Sequence, residues 1–562
     1  MLHFIDFEVY PKLWCCTIIN PITQTEAAIV NDKQLLTDYY HKFKNEVFVT
    51  FNGRQYDDYI FKAILCGFNP WGMNDWIINK KRKGWEFSSL LNKVKLNTFD
   101  CMIGFNGLKT LEAFSGMSIE ETTIPFDYDG EFTSEMIDEV LRYNKYDVMA
   151  TIMVFMERKS EFDSYMGLIK LFNLPLSYLG KTKAQLSSII LGAKRTKHKD
   201  EFDVAVPPTM RIEKYTNVID YFQNDWNYDT KLETTIAGVP HVYGTGGLHG
   251  AIPNYFGEGE FLHVDVNSYY PSLMIRYPEF CMSRTGASVE KFSEIKDSRI
   301  EFKKRKDPRA NALKIVLNST YGAMKDKFNP LYDPRSANNV CIFGQLLLTD
   351  LIERLEGHCD LIQSNTDGLI VKLHGNETEI REICKEWEDR TGMTLGYDKI
   401  TKVVQADVNS YIAVFENGKI EAKGAYLKDL NALDYDLAIV NKSLRDYLLY
   451  KIPVENTVYQ SVYLRDFQKV YKLSQKYKTV HHNGNVYTDK CFRVFASKDE
   501  LDTYLGKSKG EGCTIEKFAG CPDHCRVVNT DITDERVPDW LDREWYVNEA
   551  KKRLKDKFGV IV

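Results

Sequence analysis

The sequence predicts an α/β and α+β multidomain protein, and three observations carry that reading. The chain has 562 residues, enough for roughly three or four domains of ordinary size. Its first 160 or so residues alternate short apolar strands with helical stretches, an α/β pattern. In its middle, apolar strands ending in acidic residues are interrupted by a basic helical stretch over about 290–328 and then resume. No internal repeat or low-complexity linker breaks the chain, and from about 431 onward the pattern is again mixed.

Hydrophobic content of 44% and charged content of 27% match a soluble globular chain and exclude a disordered one. Aromatics make up 13%, which fits large cores and also fits stacking on bases. A net charge of −6 by itself argues against a nucleic-acid partner, an objection that its distribution softens. Phosphate binding needs only local positive potential, and basic clusters occur at Lys80–Lys83, at Lys194 and Arg195 with Lys197 and Lys199, and at Lys303–Lys306. Asp6 and Glu8 interrupt the apolar start, so no secretory signal is read there, and no apolar run reaches membrane-spanning length. The 12 cysteines follow no regular framework, which points to a reduced, cytoplasmic setting. Cys513, Cys521, His524 and Cys525 lack paired CxxC knuckles, so zinc is not expected there.

The first chemistry lies in the amino-terminal part. Asp6 and Glu8 are two apart on an expected strand, Leu2–Tyr10, so both face the same way. A second strand, Val47–Phe51, leads into Asn52-Gly-Arg-Gln-Tyr-Asp57. Asp58 is adjacent, but its spacing from Asn52 favours Asp57. A helix over about Ser134–Lys159, with Ser134 as its N-cap and Glu135 in its first turn, puts Tyr143 and Asp147 on one face. Four carboxylates brought together cannot all stay ionised without cations, so two Mg²⁺ or Mn²⁺ ions are the expected occupants. Such a pair suits phosphodiester hydrolysis, with Tyr143 orienting a water through its hydroxyl.

The second chemistry lies in three segments: Asp265-Val-Asn-Ser-Tyr-Tyr-Pro-Ser272, Lys314-Ile-Val-Leu-Asn-Ser-Thr-Tyr-Gly322 and Ser364-Asn-Thr-Asp-Gly368. Asp265 sits near the end of a strand, Phe261–Val266. Asp367 sits in a turn inside a hairpin, Leu361–Leu373. Lys314, Asn318 and Tyr321 share one helix stripe, and Gly322 leaves room for a backbone to approach. Two carboxylates for two metal ions, a cation for phosphates and a ring to pack on a sugar or base make a nucleotidyl-transfer site.

In this order the three segments resemble motifs A, B and C of family B DNA polymerases. Asp6 with Glu8, Asn52 with Asp57, and Tyr143 with Asp147 resemble the Exo I, II and III motifs of their proofreading domain. The start at residue 6 and the Tyr243…Gly246-Gly247 stretch resemble the compact bacteriophage branch. The resemblance implies a ribonuclease H-like exonuclease domain over 1–165 and a helical connection over 166–235. It implies a right-hand polymerase with palm over 236–290 and 341–430, fingers over 291–340, and a thumb and C-terminal region over 431–562. Asp265, Asp367, Asp6, Glu8, Asp57 and Asp147 would hold metal, two Mg²⁺ or Mn²⁺ ions per site. Tyr143 would assist the hydrolysis.

Tyr270, Lys314, Asn318, Tyr321 and Gly322 would bind the incoming nucleotide, with Tyr270 excluding a 2′-hydroxyl. Asn52, Tyr243, Gly246, Gly247, Tyr411 and Lys423 would contact DNA. The implied partners are primer–template DNA, deoxynucleoside triphosphates and replisome proteins, with no membrane, for a monomer in a bacterial host cytoplasm. Three departures stand out: Tyr269 where Leu is common, Asn365 where the first Asp of motif C is usual, and Asn409 where Lys is usual before Tyr411. Asn365 leaves a rival open, an exonuclease with a decayed polymerase half. A non-catalytic replisome scaffold is the other.

Overall fold

The structure is a computed structural model that describes residues 1–102, 104–196 and 200–562. Of the basic cluster at 194–199, Lys197 and Lys199 lie outside the described residues. The chain divides into two compact units: Met1–Gly180 with Leu430–Ala550, and Lys181–Asp429 with Lys551–Val562.

In the first unit, Leu2–Val9 (β1), Trp14–Asn20 (β2), Thr25–Val30 (β3), Val47–Thr50 (β4) and Thr98–Asp100 (β5) form a sheet ordered β3-β2-β1-β4-β5. β1, β4 and β5 run parallel while β2 and β3 are antiparallel neighbours. This is the α/β pattern expected of the amino-terminal part. The helices are α1 (Lys33–Phe43), α2 (Asp57–Cys66), α3 (Pro70–Asn74), α4 (Leu108–Ser115) and α5 (Ser134–Leu171). Strand parity splits β1 cleanly: Ile5, Phe7 and Val9 enter the core with Phe48, Ile60 and Phe61. Phe4, Asp6 and Glu8 take the other face, where Phe4 meets Phe155 of α5 edge-on at 5.2 Å.

α5 departs from expectation at both ends. Its N-cap is Thr133, whose hydroxyl accepts from Met136 N at 3.3 Å, and Ser134 is the first helical residue. It also runs past Lys159 to Leu171. The charged run at 157–161 hides an apolar stripe that continues through buried Phe162, Tyr165 and Leu168, the first two against Phe99.

The second unit contains α6 (Lys183–Ile190), α7 (Thr216–Asp220), α8 (Tyr269–Arg276), α9 (Pro278–Cys281), α10 (Val289–Lys304), α11 (Arg309–Lys325), α12 (Pro334–Leu355) and α13 (Glu377–Thr391). Its strands are β6 (Leu232–Ile236), β7 (Val239–Tyr243), β8 (His249–Ala251), β9 (Tyr255–Val266), β10 (Asp360–Asn365), β11 (Gly368–Lys372), β12 (Leu395–Asp407), β13 (Ser410–Phe415) and β14 (Ile420–Lys423). They form one antiparallel sheet ordered β14-β13-β12-β9-β11-β10-β8-β7-β6. The expected strand Phe261–Val266 is the second half of β9, which lies between β12 and β11. Residues 166–235, expected as a helical connection, hold the end of α5, α6, α7, short helical turns at Leu176–Gly180 and Tyr221–Asp225 and the start of β6, with irregular chain between among the described residues.

Residues 430–550 return to the first unit, with α14 (Ala438–Tyr450), α15 (Val454–Gln460) and two small sheets. Their anchor is the carboxyl end of α4, whose last carbonyls have no partner within the helix. Fully buried Arg493 donates to Ala113 O at 3.0 Å and Met117 O at 2.6 Å, and Arg465 to Phe114 O at 2.9 Å. Burial pulls the Arg493 guanidinium down to about 10. No helix among the described residues is long and apolar enough to cross a membrane.

Candidate active sites

The first unit holds a cavity of about 520 Å³ lined by Asp6, Glu8, Asn52, Asp57 and Asp147, with Trp71 and Phe126 among its apolar walls. Carboxylate oxygens of Asp6, Glu8 and Asp147 lie within 4.8 Å of one another, a donor set suited to a hard divalent cation. Asp57 lines the same cavity but stands outside that triplet, its Oδ1 accepting from Phe7 N at 3.3 Å. Asp58 faces elsewhere, accepting from the Thr98 hydroxyl at 2.9 Å, so the geometry favours Asp57. Burial, then the neighbouring charges of Asp57, Glu8 and Asp147, push Asp6 well above the usual carboxylate range. Glu8 is raised for similar reasons, with Asp147 the largest neighbouring charge.

Tyr143 is buried one helical turn before Asp147, and its hydroxyl lowers the Asp147 carboxyl against the larger rise that burial causes. Asn52 adopts a positive φ of 61°, and its backbone N–H donates to Asp100 Oδ1 at 2.8 Å, which fixes the turn into α2.

Three further residues belong to this cavity's surroundings, and the sequence motifs do not name them. Asn144 donates to Asp6 Oδ2 at 2.8 Å, and its place beside Tyr143 is the signal that could have found it. Lys109, in the first turn of α4, lies 2.5 Å from Asp147 Oδ1 and 3.1 Å from Glu112 Oε1. Nothing local to the α4 sequence points toward Asp147.

In the second unit Asp265 on β9 stands opposite Gly368 on β11, so the hairpin turn brings Asp367 alongside it. Both line a cavity of about 200 Å³ with His263, Asn365, Tyr411 and Lys423. His263 shares a face with Asp265 by strand parity, a signal the sequence does contain. Burial first, then Asp367 and Asp398, push Asp265 up to about 6. Asp367 is exposed as a residue, yet its carboxyl sits low enough in the cleft for desolvation to raise it above its usual value.

The turn residue Thr366 takes a φ of 47°, a costly conformation for a β-branched side chain. Its N–H donates to Leu248 O at 2.8 Å. A Cβ on Gly247 would fall 2.4 Å from the Thr366 hydroxyl oxygen, so glycine is required where these loops touch. The amide oxygen of Asn365 accepts from the Thr366 hydroxyl at 3.4 Å.

Tyr270 on α8 and Tyr321 on α11 meet edge to face at 4.8 Å. Both hydroxyls reach Cys341 Sγ on α12, at 3.6 Å and 3.0 Å. Lys314, Asn318 and Gly322 lie on the exposed stripe of α11. Beyond its own helix turn, a Cβ at Gly322 would meet nothing within 4 Å, so that space is open to a ligand. Arg299 on α10, which no motif singles out, donates to Ser268 Oγ at 3.0 Å just after Asp265.

Tyr243 corrects an expectation. It is fully buried with its hydroxyl on Thr349 Oγ1 at 2.8 Å, so its side chain supports the sheet and offers no surface to DNA. Gly246 is exposed, and its carbonyl accepts from Cys341 Sγ at 2.9 Å. Tyr411 donates to Glu421 Oε1 at 3.1 Å, and exposed Lys423 pairs with the same oxygen at 3.5 Å. The cysteines near 521 do not gather metal ligands. Cys521 and Cys525 sulfurs lie 3.8 Å apart, His524 bonds Asp502 O, and Cys513 is exposed.

These raised carboxylates carry a stability consequence. The folded chain binds more protons there than the unfolded one, so that stabilisation is full below about 4 and is lost as pH rises. For Asp265 the loss runs from its ordinary 3.8 up through about 6. In chelator, thermal midpoints are expected to fall between pH 5 and pH 8 (an experimental range of about 3 units). Added Mg²⁺ should restore more stability at the higher pH. A melting series with EDTA and with Mg²⁺ checks this, and equal midpoint shifts at both pH values would contradict it.

No protein-family model matches the chain. It is similar to the protein named DNA polymerase 1 of Sulfurisphaera ohwakuensis, 24% identical over 241 residues, 40% of this chain and 27% of that protein. The DNA polymerase 1 of Saccharolobus solfataricus is 25% identical over 241 residues, 40% of this chain and 26% of that protein. The match thus spans about a quarter of the length of these curated relatives. Among solved structures, the family B DNA polymerase of Pyrobaculum calidifontis aligns with 100% of this chain and 78% of its own, at 14% identity and a TM-score of 0.45.

Proposed function

We propose that this chain is a DNA-templated DNA polymerase of the family B type with a 3′→5′ proofreading exonuclease, working in phage-type DNA replication. The observation that carries the reading is the meeting of Asp265 and Asp367 in one cleft, with Tyr270 and Tyr321 packed together on Cys341. The domain bounds are those expected from the motifs, and the thumb over 431–562 is carried by chain order alone.

Two divalent ions per site, Mg²⁺ or Mn²⁺, would neutralise the phosphates and activate the attacking oxygen. Asp265 and Asp367 would hold them during synthesis, and Asp6, Glu8, Asp57 and Asp147 during hydrolysis. Lys314 and Asn318, on the open stripe of α11, would meet the triphosphate of the incoming deoxynucleotide. The primer 3′-oxygen would attack the α-phosphorus in line, with pyrophosphate leaving. Asn52, Gly246, Gly247, Tyr411 and Lys423 would line the DNA path, and replisome proteins are the expected further partners.

The test is a labelled primer–template with Mg²⁺ on a gel. Extension with deoxynucleotides and shortening without them are expected, and shortening in both lanes would leave only the nuclease. The packing of Tyr270 sharpens the reading. Its ring packs on Tyr321 at 4.8 Å and its hydroxyl lies 3.6 Å from Cys341 Sγ, contacts that favour one orientation against a 2′-hydroxyl. Tyr270→Val is expected to raise ribonucleotide incorporation by about 10²-fold relative to deoxynucleotide. Unchanged discrimination in single-nucleotide kinetics would remove Tyr270 from that role.

A further inference from the structure

The first cavity is bordered by a charged pair to which the proposed hydrolysis assigns no part. The Lys109 ammonium lies 2.5 Å from Asp147 Oδ1, 3.1 Å from Glu112 Oε1 and 4.6 Å from the centre of the Tyr143 ring. Glu112 follows one helical turn later on α4, is wholly buried, and does not line the cavity. Its second oxygen, Oε2, finds no hydrogen-bond partner. A buried carboxylate left half unsatisfied is costly, and helix packing alone gives no reason for an acid at that position.

Asp147 also belongs to the triplet whose oxygens converge within 4.8 Å. An entering cation and Lys109 therefore compete for the same carboxylate. If Asp147 were the only anion near Lys109, its capture would strand a largely buried ammonium, a heavy penalty on loading the site. Glu112 removes that penalty, because it keeps Lys109 paired after Asp147 has turned away.

We propose that Lys109 is the resident counter-ion of this cavity, surrendering Asp147 to an incoming divalent cation, and that Glu112 is the positioning residue that retains Lys109 when it does. The inference rests on reading the cavity as a divalent-cation-dependent nuclease site. It concerns the free energy of loading that site, and neither Lys109 nor Glu112 touches the reacting phosphate in this scheme.

The experiment is Mn²⁺ binding by calorimetry, with free Mn²⁺ followed by electron paramagnetic resonance. It uses the full chain carrying Asp265→Asn and Asp367→Asn, so that only the first cavity binds. Glu112→Gln, nearly the same shape, is expected to weaken Mn²⁺ by about tenfold, the usual scale for a residue supporting a metal ligand. Lys109→Gln is expected to tighten it, since the competitor is gone. In the Lys109→Gln background, adding Glu112→Gln should cost several-fold less than it costs with Lys109 present, because nothing remains for Glu112 to hold.

Equal losses in the two backgrounds would reduce Glu112 to one more distant negative charge and overturn the inference. Weaker binding in Lys109→Gln would overturn it as well, and that arm stands even if Glu112→Gln proves unstable. A parent chain that binds no Mn²⁺ would instead overturn the nuclease reading, and the inference with it.

Discussion

Asp367→Asn is expected to lower primer extension by about 10³-fold or more while leaving shortening of the same primer intact. The substitution keeps the shape of the turn and removes one negative charge from the cleft. The turn itself is held by backbone contacts, Asp367 N to Asn365 O at 2.5 Å and Val266 N to Asp367 O at 2.7 Å, which the amide does not disturb. The loss should therefore fall on kcat with little change in melting midpoint. Single-turnover extension and a thermal melt, run on the same preparation, check both halves. An extension rate within tenfold of the parent would dismiss Asp367 as a metal ligand, and lost shortening would undercut the assignment of two separate sites.

The same cleft bears on the decayed-polymerase alternative. Asn365 stands where relatives of the expected family carry an acid, and its amide oxygen accepts from the Thr366 hydroxyl at 3.4 Å. Asp265 and Asp367 still line one cavity, with Asp265 paired opposite Gly368, the residue after Asp367.

What the sequence makes legible follows from periodicity. Parity on a strand puts Asp6 and Glu8 on one face of β1, and a helical repeat puts Lys314 and Asn318 on the open stripe of α11. Asp265 and Asp367 can be paired because an apolar strand and an apolar hairpin tell where their ends lie. Contacts between distant segments carry no such signature. Cys341 bridges Tyr270 and Tyr321 from an almost wholly buried helix, where a cysteine reads simply as core. The neighbours Gly246 and Gly247 point Tyr243 toward DNA, yet alternation on β7 turns it inward. Arg493 anchors 430–550 on the end of α4 through carbonyls alone, so no acidic partner in the sequence betrays it. The N-cap of α5 shifts by one because Thr133 and Ser134 are adjacent and both are good capping residues.

Asp6→Ala is expected to do the converse of Asp367→Asn, reducing shortening by about 10³-fold and sparing extension. Asp6 is the member of the triplet most loaded by its neighbours, since Asp57, Glu8 and Asp147 all raise it. Its removal takes away one ligand and also much of the repulsion that an incoming cation would relieve. Two readouts should then move together. The ladder of shortened products from a labelled single strand should vanish, and the Mg²⁺-dependent rise in melting midpoint should shrink. In chelator the variant should melt at or above the parent, because deleting a buried like charge offsets the hydrogen bond lost from Asn144. A variant that melts well below the parent in chelator would assign Asp6 a structural role through Asn144. A variant that degrades primer normally would take Asp6 out of the site. If both shortening and its Mg²⁺ response disappear while extension continues, mismatched primer ends should be extended without removal. That last measurement ties the carboxylates of β1 to proofreading.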